Sequence, residues 1–293
     1  MNKTAIVTGS DKKYFPFLKN LVHSLDSTSA LELCDLCILD VENESEYLDS
    51  LQKKIKKRKK IDFSLNILFK KKENWFKLLT ERPFIKDYFP GYENYIWLDA
   101  DTEVLNIEGI KNIISACKNK DLAIAPEVNE SYVFKNTKFG IKKIFRSFYK
   151  ISGWSFKNYN KYFSDQLGND LFFKPLFNNG VFCLKSDSEI WDLWKKDYQY
   201  ALDKAKSPYG IKTDQLSLNK VIYENFQKIS ILDSTNNWII DKSEIIEKKD
   251  NCFLTPSFPK REINILHYTN FKSEDDFIVN ENNQDKKINI IKC

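Results

Sequence analysis

Two aspartates one residue apart, Asp99 and Asp101, end the apolar run Tyr95-Ile96-Trp97-Leu98. Carboxylates that close together repel each other unless a cation or a hydrogen-bonding ligand lies between them, and crowded oxygen ligands suit Mg2+ or Mn2+. The chain has two histidines, His23 and His267. His23 falls within a helical pattern and reads as structural. His267 ends the strand-like segment that begins at Glu262, and a strand end shared with the aspartates is the context of a third metal ligand. The alternative account of the two aspartates is a strand end whose carboxylates cap the helix that follows over Gly109 to Lys118.

Three further stretches carry polar groups into positions where chemistry can happen. Asn178-Asn179-Gly180 leads into the apolar strand Val181-Phe182-Cys183-Leu184, so two carboxamides and a close backbone approach meet at one point. Thr213-Asp214-Gln215 opens a helix; Thr213 as its N-cap is the plain account of that polar start. Thr8-Gly9-Ser10-Asp11-Lys12-Lys13-Tyr14 joins a first strand to a first helix, and backbone N–H groups of such a turn face phosphate or base. Tyr14 there either stacks on a base or packs. The chain contains neither G-x-G-x-x-G nor G-x-x-x-x-G-K-[ST], which removes the dinucleotide fingerprint and the phosphate-loop ATPase.

The elements that must position these residues alternate along the chain. Strands are expected at Thr4 to Thr8, Leu33 to Asp40, Phe63 to Phe69, Tyr95 to Leu98 and Asp121 to Pro126. Helices are expected over Phe17 to Leu25, the charged segment Glu44 to Lys57, Arg82 to Tyr92, Gly109 to Lys118 and Ser188 to Lys204. That alternation predicts an α/β fold with a mostly parallel central sheet flanked by helices, its ligands at the carboxyl ends of the strands. Residues 129–165 break the rhythm. Ile141, Ile144, Phe145 and Phe148 at helical spacing, opposite Lys142, Lys143, Arg146 and Lys150, predict a basic amphipathic helix that covers the core, forms a lid or meets a membrane.

Composition sets outer bounds. With 42% hydrophobic and 30% charged residues, the 293-residue chain is globular, and eight glycines and eight prolines leave no room for linkers. The net charge of +5 is concentrated, since Lys53 to Lys60 alone holds seven cations. This run reads as a solvated helix end or as a contact for an anionic membrane, where each basic residue is worth about 1 kcal/mol. It has no accompanying nucleic-acid motif, so no nucleic-acid partner is expected. Cys34 and Cys37 form a lone C-x-x-C among six cysteines, which points to buried free thiols in a reducing compartment. No eighteen apolar residues occur in a row and no secretory signal is seen, so the expected location is cytoplasmic, either free or peripheral on the inner face of the cell membrane.

Asp99-Ala100-Asp101, Asn178-Asn179-Gly180, Asp214-Gln215 and His267 occur in an order and spacing that resemble glycosyltransferase family 8, over about residues 3 to 272. The resemblance implies a glycosyltransferase A fold and a retaining hexosyl transfer from a uridine diphosphate sugar to a glycan or lipid-linked acceptor, as in synthesis of bacterial surface polysaccharide. It implies a single catalytic domain over residues 1–272 with a helical insertion at about 129–165, then a C-terminal tail over 273–293. Position by position, Asp99, Asp101 and His267 match ligands of Mn2+ or Mg2+. Thr8, Gly9, Ser10 and Tyr14 match the uridine site, with Asp99 and Ala100 near the ribose. Arg82 matches a basic residue near the phosphates. Asn178, Asn179 and Gly180 match the sugar-contacting turn, and Asp214 with Gln215 match the pair beneath the donor hexose. The family ending His-x-x-Gly-x-x-Lys is altered to His267-Tyr268-Thr269-Asn270-Phe271-Lys272, one residue short and without its glycine, which weakens Lys272 as a diphosphate clamp. Leu216 also replaces a common second acidic residue. The rival readings are an inverting transferase with Asp214 or Asp165 as base, a nucleotidyltransferase of similar fold, and an inactive nucleotide-binding module.

Overall fold

A computed structural model describes residues 3–42, 46–62, 75–132, 140–145, 148–205 and 214–292 of the chain. The chain opens with strand β1 (Thr4–Thr8), helices α1 (Phe15–Ser27) and α2 (Ala30–Leu33), strand β2 (Asp35–Asp40) and strand β3 (Lys57–Lys60). Helices α3 (Trp75–Glu81) and α4 (Ile85–Tyr88) flank a 3-10 turn at Arg82–Phe84 and lead to strand β4 (Asn94–Leu98). Strand β5 (Thr102–Val104), helix α5 (Ile107–Asn119) and strand β6 (Leu122–Pro126) follow. Strands β7 (Gly140–Phe145) and β8 (Phe148–Ser152), helices α6 (Trp154–Tyr162) and α7 (Asp165–Leu171), strand β9 (Phe177–Lys185) and helices α8 (Ile190–Ala205) and α9 (Asp214–Glu224) form the second half. The last strands are β10 (Ile229–Ile231), β11 (Trp238–Ile239), β12 (Ile246–Lys249), β13 (Cys252–Leu254), β14 (Ile265–His267), β15 (Asp276–Glu281) and β16 (Gln284–Asn289).

The central sheet has the order β10-β6-β9-β4-β1-β2-β3, parallel except for β9, which runs against both β4 and β6. Side chains alternate between its two faces, as strand geometry requires. Ala5, Val7, Tyr95, Trp97, Ile124 and Phe182 pack on one side with Trp191, Trp194 and Tyr198 of α8. Ile6, Ile38, Ile96, Leu98, Ala123 and Val181 pack on the other side with α1 and α5. Because both faces are covered, the central strands read as unbroken apolar runs that stop where their carboxyl ends meet polar groups.

Several expected elements take another form. The segment Glu44 to Lys57, expected as a helix, contains a 3-10 turn at Glu46–Leu51. The basic run ends in the edge strand β3, paired in parallel with β2. Arg58 there is tied to Asp40 at 2.7 Å and Asp49 at 3.0 Å, and the other cations of the strand mark a sheet edge that is hard for another chain to extend. The strand expected at Phe63 to Phe69 lies outside the described residues, as does Thr213. The amphipathic helix expected over Ile141 to Lys150 is instead the antiparallel hairpin β7–β8, with Ile141 opposite Ile151 and Lys142 opposite Lys150. Its β-branched and aromatic residues favour pleated pairing, and this won over a helical spacing that a short apolar segment satisfies equally well. The membrane expectation therefore loses the amphipathic helix on which half of it rested. Among the described residues no helix is long and apolar enough to cross a membrane.

Residues 273–293, expected as a tail, carry the hairpin β15–β16, which joins β12 and β13 in a second sheet. Phe277, Val279 and Ile290 are buried in one cluster with Trp238, Leu266 and Tyr268. The C-terminal segment thus packs against the strand that bears His267.

Candidate active site

Asp99-Ala100-Asp101 forms the turn between β4 and β5. It is pinned by Asp99 N–H donating to the Gly180 carbonyl at 2.8 Å and by Thr102 N–H and hydroxyl donating to the Asp99 carbonyl at 3.0 and 2.7 Å. Strand β14 pairs antiparallel with β5 so that His267 lies opposite Thr102, and Tyr268 N–H donates to the Asp101 carbonyl at 2.8 Å. This small ladder carries the imidazole to the aspartates across more than half the chain. His267 Nε2 lies 3.4 Å from Asp101 Oδ1 and 3.9 Å from Asp99 Oδ2. Ligand atoms of Asp99, Asp101 and His267 all fall within 4.8 Å of one another, close enough to share one ion.

The fit to a divalent cation can be tested on the donor set itself. Asp99 Oδ1 accepts from Trp97 Nε1 at 2.7 Å and from the Arg82 guanidinium, so its Oδ2 is the oxygen left facing His267. Burial works to raise the Asp101 carboxyl, but the neighbouring imidazole carries it below the usual range. Burial likewise works to lower His267, and Asp101 followed by Asp99 raises it above its ordinary value. Both shifts come from the carboxylates and the imidazole facing one another, and the same carboxylates would meet a cation held there. One nitrogen with two hard oxygens suits Mn2+, and Mg2+ less well.

Gly180 makes the convergence possible. A Cβ at this position would lie 2.3 Å from His267 Cε1 and 2.8 Å from Asp99 Oδ2. Asn178, Asn179 and Gly180, expected as a turn ahead of the strand, lie inside β9. There the pairing with β6 slips: Ile124 faces Phe182, while Pro126 faces Phe177. The slip lets successive side chains depart from strict alternation and converge on one site.

Arg82, held in the 3-10 turn after α3, is the second centre of the site. Its guanidinium donates to Asp214 Oδ2 at 2.7 Å and to Asp99, and it lies 5.4 Å from the Trp97 ring. Asp214, the first residue of α9, also accepts from Asn179 Nδ2 at 2.8 Å. Burial pushes the Asp214 carboxyl up, and Arg82 beside it holds it back. Gln215 Nε2 donates to Glu127 Oε1 and to the Phe177 carbonyl, both at 3.0 Å.

The uridine-site candidates sit at the carboxyl end of β1, beside β4 in the sheet. Thr8 and Ser10 are buried, and their hydroxyls have no partner among the described residues; Arg82 Nε is likewise unpaired. Buried hydroxyl and guanidinium donors of this kind can pair with a polar ligand or with water. Gly9 is packed so tightly that a Cβ would lie 2.6 Å from the Leu39 carbonyl oxygen. Tyr14 is raised by burial and then by Asp101, Asp11 and Asp99, and its ring stacks on Phe17 at 5.8 Å. Ala100 is buried in the turn. Lys272 is exposed, its backbone N–H donates to Asp275, and among the described residues no hydrogen bond or ion pair ties its ammonium to the cluster.

Sequence reasoning missed Trp97, Glu127, Asn237 and Lys242. Glu127 directly follows β6, so the strand-end rule used for Asp99 would have found it. Asn236-Asn237 before β11 repeats the paired carboxamides of Asn178-Asn179. Cys34 and Cys37 are buried free thiols, pushed up by burial to about 12 and about 11.

Fold and site together define the class: a glycosyltransferase A fold with an Asp-Asp-His cluster where its central strands end. Solved structures of the same fold include mouse xyloside xylosyltransferase 1, at 12% identity and TM-score 0.53, covering 92% of this chain and 98% of that one. The galactosyltransferase LgtC, in complex with donor and acceptor sugar analogs, matches at 14% identity and TM-score 0.51 over 92% of this chain and 89% of its own. The bifunctional glycosyltransferase WbbM matches at 12% identity and TM-score 0.52, and this chain spans 46% of its length. At these identities the likeness is one of fold. No protein-family model matches the sequence, and no curated protein matches it.

Proposed function

We propose that the chain is a metal-dependent, retaining glycosyltransferase of the family 8 type, moving a hexose from a uridine diphosphate sugar to a glycan or lipid-linked glycan of a bacterial cell surface. The observation that carries this reading is the meeting of Asp99, Asp101 and His267 at the end of β4, next to the unpaired Thr8 and Ser10 hydroxyls. Mn2+ or Mg2+ held by those three side chains would supply Lewis-acid stabilisation of the charge left on the nucleoside diphosphate.

The chain's own groups account for the rest. The turn from Thr8 to Tyr14 binds the uridine, and Arg82 adds a fixed positive charge between Asp99 and Asp214. Positive character develops on the sugar ring as the anomeric bond breaks, and carboxylate and carboxamide oxygens near it stabilise that charge. Gln215 is suited to this role: its Nε2 is held by two acceptors, which leaves Oε1 as the atom available to a ligand. A neutral carboxamide is a poor nucleophile, so a same-face attack is favoured, with the departing phosphate oxygen taking the acceptor proton. The engagement of Asp214 with Arg82 and Asn179 supports this over an inverting route, which needs an open base. Asp165 sits exposed in the first turn of α7.

The deciding experiment is calorimetric titration of uridine diphosphate with Mn2+ and then with chelator, followed by a screen of donor sugars and the anomeric configuration of the product. Metal-dependent binding and a retained anomer are expected. Absence of binding in both conditions would sink the transferase reading, and binding without transfer or donor hydrolysis would leave a nucleotide-binding module.

A further inference from the structure

His267 can serve as a metal ligand through Nε2 only if Nδ1 carries the ring hydrogen, and a chain of hydrogen bonds running away from the site decides this. Glu127 is paired with Lys242 and so is an ionised carboxylate that can only accept. Its Oε1 is 2.9 Å from Asn178 Nδ2, which directs the NH2 end of that carboxamide toward it. Asn178 Oδ1 then points the other way and accepts from Gly180 N–H at 2.9 Å and from Asn237 Nδ2 at 3.1 Å. The Gly180 N–H is a donor only, so it fixes the same orientation independently. With its NH2 committed to Asn178, Asn237 presents Oδ1 to His267 Nδ1 at 2.9 Å. An acceptor there requires a hydrogen on Nδ1. Every member of this chain is buried or half-buried, so water does not scramble the order.

We infer that Asn237 is a positioning residue for the metal site: the relay Glu127–Asn178–Asn237 keeps a hydrogen on His267 Nδ1 and turns Nε2 toward Asp99 and Asp101, where an ion would replace the hydrogen that those carboxylates otherwise attract. The inference deepens the proposed function, since it concerns the ligand set of that same site. Outer partners of a ligating histidine fix its tautomer and orientation in this way, and losing one typically weakens metal binding about 10–100-fold. The same Glu127 oxygen accepts from Gln215 Nε2, so one carboxylate orients both the metal ligand and the carboxamide assigned to the donor sugar. A free imidazole side chain prefers its hydrogen on Nε2, and the Asp101 and Asp99 carboxylates that face Nε2 favour the same, so the relay is what keeps a hydrogen on Nδ1 against both.

The test exploits the presence of two histidines in the whole chain. The full protein, labelled with 15N-histidine and free of metal, is observed by long-range 15N–1H correlation at alkaline pH, where the ring is neutral. His23, exposed on α1, is assigned with His23→Gln. His267 is expected to keep a protonated Nδ1; a bare Nδ1 with the ring hydrogen on Nε2 overturns the inference. Mn2+ titration followed by electron paramagnetic resonance gives the second reading. Asn237→Leu should lower Mn2+ affinity about 10–100-fold, and Asn237→Asp, which keeps an acceptor for Nδ1–H but loses the donor to Asn178 Oδ1, should recover part of it. Wild-type affinity in Asn237→Leu would overturn the relay. If Asn237→Leu does not fold, the tautomer of the unaltered protein still decides. If the unaltered protein binds no Mn2+, the metal reading fails while the tautomer result stands by itself.

Discussion

Replacing Gly180 by alanine adds one methyl group at the point where β9 crosses behind the acidic cluster. The new Cβ would stand 2.3 Å from His267 Cε1, 2.8 Å from Asp99 Oδ2 and 2.9 Å from Asn178 Oδ1. Carbon atoms rest at about 3.5–4.0 Å, so the imidazole must retreat by roughly 1 Å or more. A metal site tolerates ligand displacements of only about 0.2 Å. The ring cannot yield freely, because Asn237 holds Nδ1 and Tyr268 N–H anchors the next residue to Asp101. Gly180→Ala should therefore lower Mn2+ affinity at least as far as loss of an outer partner does, about 10–100-fold or about 1.4–2.8 kcal/mol. Overpacking should cost the fold a further ~1–3 kcal/mol, a loss of a few degrees in Tm for a chain of this size. Mn2+ titration by paramagnetic resonance measures the first effect, and circular dichroism with a thermal melt measures the second. Gly180→Ala with native Mn2+ affinity and a native melt would refute the claim that this glycine exists to admit the imidazole.

The other expectations are shorter. Asp101→Ala should abolish sugar transfer and calorimetrically detectable Mn2+ binding, and undiminished turnover at saturating metal would contradict the assignment. Because Asp101 and Asp99 raise His267 above its ordinary value despite burial, a proton competes with the ion for Nε2. Mn2+ affinity should thus fall on acidification through that raised value, by up to about tenfold per pH unit, and a flat profile between about pH 5.5 and 8.5 would exclude a histidine ligand. The sign for the metal-free fold is the opposite: stability from the charged His267 is fully present below the unfolded value and is lost as pH rises through the folded one. Phe277→Ala, in the C-terminal hairpin, should cost about 3–5 kcal/mol in urea unfolding, because Phe277 is packed with Tyr268 and Phe253; a change below about 1 kcal/mol would mean the hairpin is an appendage.

How much of this was legible before folding depends on the range of the forces involved. The apolar runs of β1, β4 and β6 and the abrupt charge after Leu98 are local patterns, and local sterics and burial are enough to make them strands ending at a polar edge. The helical spacing of Phe17, Leu18, Leu21, Val22 and Leu25 was equally direct, and all five are buried in α1. Ile141 to Phe148 shows the limit: a few apolar positions fit a helix and a hairpin alike, and only pairing decides between them. The basic run after Lys53 failed for the same reason, because its role as an edge strand depends on β2 lying alongside.

The sequence by itself determined an alternating α/β chain and the residue types of the cluster, since Asp99, Asp101 and His267 stand where strands give way to polar residues. What only the tertiary structure decided is which groups answer one another. Arg82, beside Asp99, reaches Asp214 across 132 residues, and β11 brings Asn237 to the far side of His267. Lys272, exposed and with its backbone N–H on Asp275, has no hydrogen bond or ion pair to the cluster among the described residues. Those outcomes rest on sheet order, the β9 slip and the space left by Gly180, which are set by contacts between segments remote in the chain and leave no local pattern to read.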